Sequence, residues 1–165
     1  MAVEVALPSF ILGYHGCDAA VAEQVFAGQQ ALKHSRNDYD WLGEGIYFWE
    51  HNAQRAYEFT RAMAKRPHPS GQKVMQPAVV GAIIDLSYCL NLLDSRYIEM
   101  VRQAYESLKQ AAEESGRTLP HNTGGPDLVD RKLDCAVIQA LHDQQEEADE
   151  PRFDTVRAAL FEGGP

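Results

Sequence analysis

Three short stretches hold the residue types from which a ligand site is built. Tyr14-His15-Gly16 closes a β-prone run, Phe10-Ile11-Leu12-Gly13-Tyr14. Gly43-Glu44-Gly45 leads directly into Ile46-Tyr47-Phe48-Trp49, so a bend with a permissive backbone is expected to deliver Tyr47 at the start of a strand. On the helical run that follows, Tyr57 stands with Ala53, Ala56, Thr60 and Met63 at helical spacing, which is expected to turn it to the apolar side, facing Tyr47 across a cleft. Histidine beside glycine, with two tyrosines near a glycine bend, suits a planar ligand that carries a sugar. Glycine admits close backbone approach, and offset-stacked rings gain about 0.5–1.5 kcal/mol beyond their burial. Taken singly, a strand-end histidine is as readily structural, and a tyrosine at helical spacing is more often core. The order of the pieces carries the weight.

The elements that must position these residues follow from periodicity. Residues 10–14 read as a strand, and Asp18 offers an N-cap to a short helix with Val21, Ala22, Val25 and Phe26 inward, stopped near Gly28. Residues 29–42 are polar and rich in turn formers, and are expected to lie over the pocket. Asn52 caps a helix that runs to about residue 66, where a Pro-rich breaker ends it. Residues 78–86 form a continuous apolar run, expected to be a central strand buried on both faces, which residues 88–92 extend or adjoin. Asp94 or Ser95 then caps an amphipathic helix with Ile98, Val101, Tyr105, Leu108 and Ala112 inward. After a Gly/Pro/Asn/Thr loop over residues 116–126, a last helix follows Asp127, with Val129, Leu133, Ala136, Val137, Ala140 and Leu141 on one face. It is expected to fray into an acidic, solvated run over residues 144–150. Residues 155–161 read as a final strand, with a turn at Glu162-Gly163-Gly164-Pro165.

A chain of 165 residues with 45% hydrophobic residues fits one domain around one core. It has no run of 18 apolar residues, and residues 1–8 have neither a basic start nor a cleavage-type signal, so the expectation is a soluble, cytoplasmic protein without membrane partners. Cys17, Cys89 and Cys135 are scattered and without metal-ligand spacing, which suggests buried, reduced thiols and no metal. The net charge is −9, and it is uneven: residues 1–80 hold seven Lys/Arg and eight Asp/Glu, residues 81–165 eight and sixteen. The acidic half is therefore excluded as the main nucleic-acid surface. The first half keeps Lys33, His34, Arg36, Arg55, Arg61, Lys65, Arg66 and Lys73 for an anionic ligand, although each alone is most readily a solvated charge. Phosphate-loop, His-Glu-x-x-His and Gly-x-Ser-x-Gly patterns are absent.

The order of His-Gly, Gly-x-Gly-Ile-Tyr-Phe and a second tyrosine ten residues after the first resembles the ADP-ribosyltransferase fold of poly(ADP-ribose) polymerases and diphtheria toxin, over roughly residues 10–63. The resemblance implies an α+β domain, a split mixed β-sheet flanked by helices, that takes NAD as co-substrate and moves ADP-ribose to a macromolecular acceptor, protein or nucleic acid. It gives His15 a ribose hydroxyl, the Gly16 backbone the nicotinamide carboxamide, and Tyr47 and Tyr57 the two faces of the nicotinamide ring. Tyr14 and Gly45 join the cofactor site. Residues 37–41 either contact the ribose, phosphates or adenine or form an ordered turn anchored by Trp41. His15 and Tyr47 are the implied catalytic residues, and relatives add a glutamate on a late strand. Nothing follows Pro165, so that strand is expected to be absent, removed or replaced, leaving Glu162 as the candidate and Glu44 behind it. A carboxylate there would stabilise the oxocarbenium-like ribose formed as nicotinamide leaves. Stand-alone bacterial domains of this kind act as toxins or effectors, which implies a neutralising protein partner. The alternative is a non-enzymatic NAD or ADP-ribose binding module acting through protein contacts.

Overall fold

The structure, a computed structural model, describes residues 9–65, 74–125 and 128–160. These form a mixed α+β arrangement with a small antiparallel sheet and four helices. They group into two compact units: Met1–Lys33 with Ile46–Leu86, and His34–Gly45 with Ser87–Pro165.

In the first unit β1 (Phe10–Asp18) is the middle strand of a three-stranded antiparallel sheet, between β2 (Trp49–Glu50) and β3 (Pro77–Asp85). β1 runs four residues past Tyr14, so His15 lies within the strand and not at its end. The reason is β3, which pairs with all nine residues of β1, from Phe10 opposite Asp85 to Asp18 opposite Pro77. β3 is correspondingly an edge strand, not the central one its apolar run suggested. Its residues alternate in burial and Ile83 is 75% exposed, because among the described strands only β1 pairs with it. Asp18 caps α1 (Ala19–Phe26) by accepting from the Ala20 N–H, and its other oxygen accepts from the N–H groups of Met75 and Gln76. Those main-chain donors, Gln76 first, hold its carboxyl below the usual carboxylate range. One side chain thus starts a helix and secures the entry to β3. Cys17, Ala22 and Val80 form the small core under α1, while Phe26, expected inward, is exposed. α2 (Ala53–Ala64) is capped by Asn52, which accepts from the Arg55 N–H, and buries Ala56 and Thr60.

The second unit holds β4 (Cys89–Asn91), α3 (Ser95–Glu114), α4 (Lys132–Glu147) and β5 (Thr155–Arg157), with β4 and β5 paired in parallel. Its core is Leu90, Ala104, Val137, Ile138, Leu141 and Phe153, flanked by Tyr97, Val101, Tyr105, Leu108 and Leu133. On α3 the inward stripe therefore begins at Tyr97, and Ile98 is exposed, a rotation that places small Ala104 where α4 packs. α4 starts at Lys132, later than expected, and Val129 before it is exposed. Its first turn is capped from a distance: Asn122 Oδ1 accepts from the N–H groups of Leu133 and Asp134. Nor does the helix fray at residue 144. It continues to Glu147 with Gln145 buried, and the Gln145 amide donates to the Pro151 carbonyl. The last strand is shorter than residues 155–161 and belongs to the sheet of β4.

Candidate functional site

His15 is joined to the Tyr47 segment by a hydrogen bond of 2.8 Å between its Nδ1 and the Tyr47 carbonyl. A carbonyl only accepts, so Nδ1 carries the hydrogen, and in the neutral ring Nε2 is then an acceptor for a hydroxyl or N–H from outside. The half-buried imidazole also meets the Phe48 ring, centroids 5.7 Å apart. Tyr47 itself is not in a strand: β2 begins two residues later, at Trp49.

Gly16 gains its meaning from the register. Leu12 O accepts from His51 N on the β2 side of β1, whereas Ser9 O accepts from Leu86 N, and Ala19 N donates to Gln76 O, on the β3 side. Main-chain groups alternate along a strand, so Gly16, in phase with Leu12 and Tyr14, directs its N–H and C=O to the β2 side. The last pair there is Tyr14 with Trp49. The Gly16 peptide groups thus point past the end of β2, next to the ring that carries Nε2. A side chain at this position has no room, since a Cβ on Gly16 would lie 1.7 Å from Thr60 Oγ1 and 2.6 Å from the Ala56 carbonyl. The close approach that requires glycine is that of α2.

The other expected site residues are placed as follows. Tyr14 and His15 are neighbours on a strand and project to opposite faces; the Tyr14 ring lies over Gly81, 3.3 Å from where its Cβ would be. Tyr57 is 38% exposed, beyond the buried stripe of Ala56 and Thr60, with the Arg61 guanidinium 5.9 Å from its ring centre. Being one residue after Ala56, it is turned about 100° from the side that packs on β1. Gly45 groups with the second unit, where both its N–H and C=O bond to Ser35. Glu44 is also there, exposed and paired with Arg36 at 3.5 Å. Glu162 lies outside the described residues.

Residues 34–45 form an ordered turn of the second unit, anchored by Trp41. The Trp41 indole N–H donates to the Val129 carbonyl at 2.8 Å and Arg131 stands over its ring. Asp40 is buried and accepts from Ser35 Oγ, Asn37 N and Asn37 Nδ2, so its charge holds the turn from within. Lys132 bonds Asp38 at 2.9 Å. Gly43 has φ +83 and a Cβ there would meet Ile138 at 3.2 Å, so glycine lets the turn lie against α4. The ordered turn anchored by Trp41 is one of the two expectations for residues 37–41; its docking on α4 and the remote cap by Asn122 were missed. The signal for it was Trp41 in a turn dense with Asn and Asp.

Cys17 and Cys135 are buried and Cys89 partly so, all as free thiols. Burial, reinforced by Asp18 beside Cys17 and by Asp40 near Cys135, pushes both buried thiols up, so they remain protonated and unreactive. Among the described residues no cluster of His, Cys, Asp and Glu suited to a metal ion occurs, and no helix is long and apolar enough to cross a membrane. Compared with protein-family models, with curated proteins and with solved structures, the chain finds no match.

Proposed function

We propose that this chain binds NAD at His15, Gly16 and Tyr47 and is an NAD-dependent ADP-ribosyltransferase acting on a macromolecular acceptor, with a fold of the ADP-ribosyltransferase type. The observation that carries the reading is the 2.8 Å bond from His15 to the Tyr47 carbonyl. It joins the two motifs of the resemblance in space, and in the neutral ring it leaves Nε2 as an acceptor to which a ribose hydroxyl can donate. Gly16 supports it: its N–H and C=O point past β2, and such a pair is matched by a carboxamide, which needs one acceptor and one donor. In this reading nicotinamide leaves the ribose carbon, the acceptor's nucleophile takes its place, and Tyr47 supplies a ring face. The resemblance adds Tyr57, on the exposed side of α2, as the second ring. The resemblance assigns the carboxylate that would stabilise the ribose cation to Glu162, which lies outside the described residues.

A second reading, a module that binds NAD or ADP-ribose without turnover, is favoured by one observation: Glu44, the other candidate carboxylate, is already paired with Arg36. The two readings are separated by incubating the chain with labelled NAD and a cell lysate, then treating any labelled product with nuclease or protease. Transfer that is lost in His15→Ala and Glu162→Gln supports the enzyme. NAD binding without label on any macromolecule supports the module, and no response of His15, Gly16 or Tyr47 to saturating NAD or nicotinamide in NMR sinks both.

A further inference from the structure

The chain's net negative charge of −9 arises in the second unit. The first unit carries six Lys/Arg and six Asp/Glu, the second nine and eighteen. Five of the six cations of the first unit, Arg55, Arg61, Lys65, Arg66 and Lys73, fall on α2 or in the stretch after it. Residues 53–65 include only Glu58 against them. The same helix shows aromatic surface where a helix exterior is ordinarily polar. Phe59 is 43% exposed and stands 6.0 Å from the half-buried Trp49 ring, and the Arg55 guanidinium lies 5.0 Å from the centre of that indole. With Arg61 over Tyr57, this helix of 12 residues takes part in two cation–ring contacts, where roughly one per 70–80 residues is usual.

We propose that the outward side of α2, with Trp49 beside it, binds single-stranded nucleic acid: bases stack on Trp49 and Phe59 while Arg55, Arg61 and Lys65 meet phosphates. Charge complementarity selects a polyanion for this helix, in contrast to the acidic second unit. The rings select unpaired bases. Every base has a π-face that stacks on an aromatic side chain, and in a duplex those faces are covered. An acidic peptide would engage the cations but leave Trp49 and Phe59 without partners. The surface uses neither His15 nor Gly16 and adjoins the proposed NAD platform only where Arg61 lies over Tyr57, so its binding can be measured without NAD.

The test is fluorescence anisotropy of the full chain with labelled oligo-dT and oligo-rU of about twelve nucleotides, within the usual site size of such surfaces, between about 50 and 200 mM salt. Expected are binding that weakens as salt rises and preference for single strands over the matching duplex. Arg61→Glu with Lys65→Glu should lower affinity about tenfold or more and make the salt slope shallower by about one or more. Phe59→Ala should lower affinity about tenfold with the slope unchanged, and Phe59→Tyr should retain binding because the ring remains. Lys109→Glu on exposed α3 should change nothing, and circular dichroism must match across the set. Absence of salt-dependent binding overturns the proposal. So does equal binding of duplex, or competition by poly-glutamate as effective as by oligonucleotide together with an unaffected Phe59→Ala; the last result would assign the surface to an acidic protein.

Discussion

The two units spend their apolar residues differently. In the second, Leu90, Ala104, Val137, Ile138, Leu141 and Phe153 close one core, with Tyr88 stacked on Phe153 at 4.4 Å and Tyr97 meeting it edge-on at 5.8 Å. In the first, the buried cluster is Cys17, Ala22 and Val80, and Phe10, Leu12 and Ile83 remain exposed on one face of the sheet. Apolar burial is the main driving force of folding, at about 25 cal/mol per Å² removed from water. The second unit therefore buries its large rings in a core, while the first leaves its histidine half-buried and Tyr57 and Phe59 exposed.

The largest expected effect strikes that asymmetry directly. Phe153→Ala should cost about 3–5 kcal/mol, the usual range for a buried phenylalanine. Ile83→Ala, a truncation at an exposed position of β3, should stay within about 0.5 kcal/mol. Urea unfolding of the two variants measures both, and equal losses would break the comparison.

Gly16→Ala comes next. Its Cβ falls 1.7 Å from Thr60 Oγ1, which can rotate, and 2.6 Å from the Ala56 carbonyl, which cannot move without the helix. Overpacking of this kind costs about 1–3 kcal/mol. Gly45→Ala, the second glycine of the bend, meets nothing within 4 Å and should be nearly neutral. A Gly16→Ala protein with the parent's melting temperature would show that α2 does not rest on β1 as described.

A smaller effect separates the units by pH. Burial, with Arg152 nearby, holds the His142 imidazole below its ordinary value, only partly offset by Asp143. The unfolded chain then binds a proton more readily than the folded one. Its contribution to stability is complete above about pH 6.5, the usual histidine range, and is lost as pH falls beneath it. Unfolding free energies at pH 7.5 and 5 should therefore differ less in His142→Gln than in the parent. An unchanged difference would mean that folding leaves the proton affinity of His142 unaltered.

What the sequence disclosed, and what it hid, follows one physical line. Local signals were legible: Asp18, Asn52 and Asp94 each cap the helix that begins after them, because a capping side chain reaches only two or three residues. Partners distant in sequence were hidden. Nothing in residues 116–126 announced that Asn122 caps α4, and the apolar run of β3 could not tell an edge from a centre, since that depends on which strands are present to pair. The candidate site divides in the same way. His15, Gly16 and Tyr47 were legible as types in order, and the structure brings His15 to the Tyr47 carbonyl. Gly43 and Gly45 carry the same Gly-x-Gly signal, yet they serve the turn of residues 34–45: one lies against Ile138, the other bonds Ser35.

A small expected change in stability belongs to Tyr57, and it is the sharpest test of whether the first unit is built for binding. A ring that is 38% exposed and lies outside the stripe of Ala56 and Thr60 removes little apolar surface from water, so Tyr57→Ala should shift stability by no more than about 0.5–1 kcal/mol. Stacking, in contrast, is worth about 0.5–1.5 kcal/mol beyond burial, which predicts a fall in NAD affinity of roughly two- to tenfold. Tyr57→Phe keeps the ring and should keep the affinity. Calorimetric titration beside thermal unfolding resolves the two quantities in the same three proteins. Loss of stability with affinity intact would return Tyr57 to the core of α2, and affinity lost equally in Tyr57→Phe would move its role from the ring face to the hydroxyl. Either outcome would remove the stacking platform from the reading while leaving the bond between His15 and Tyr47 in place.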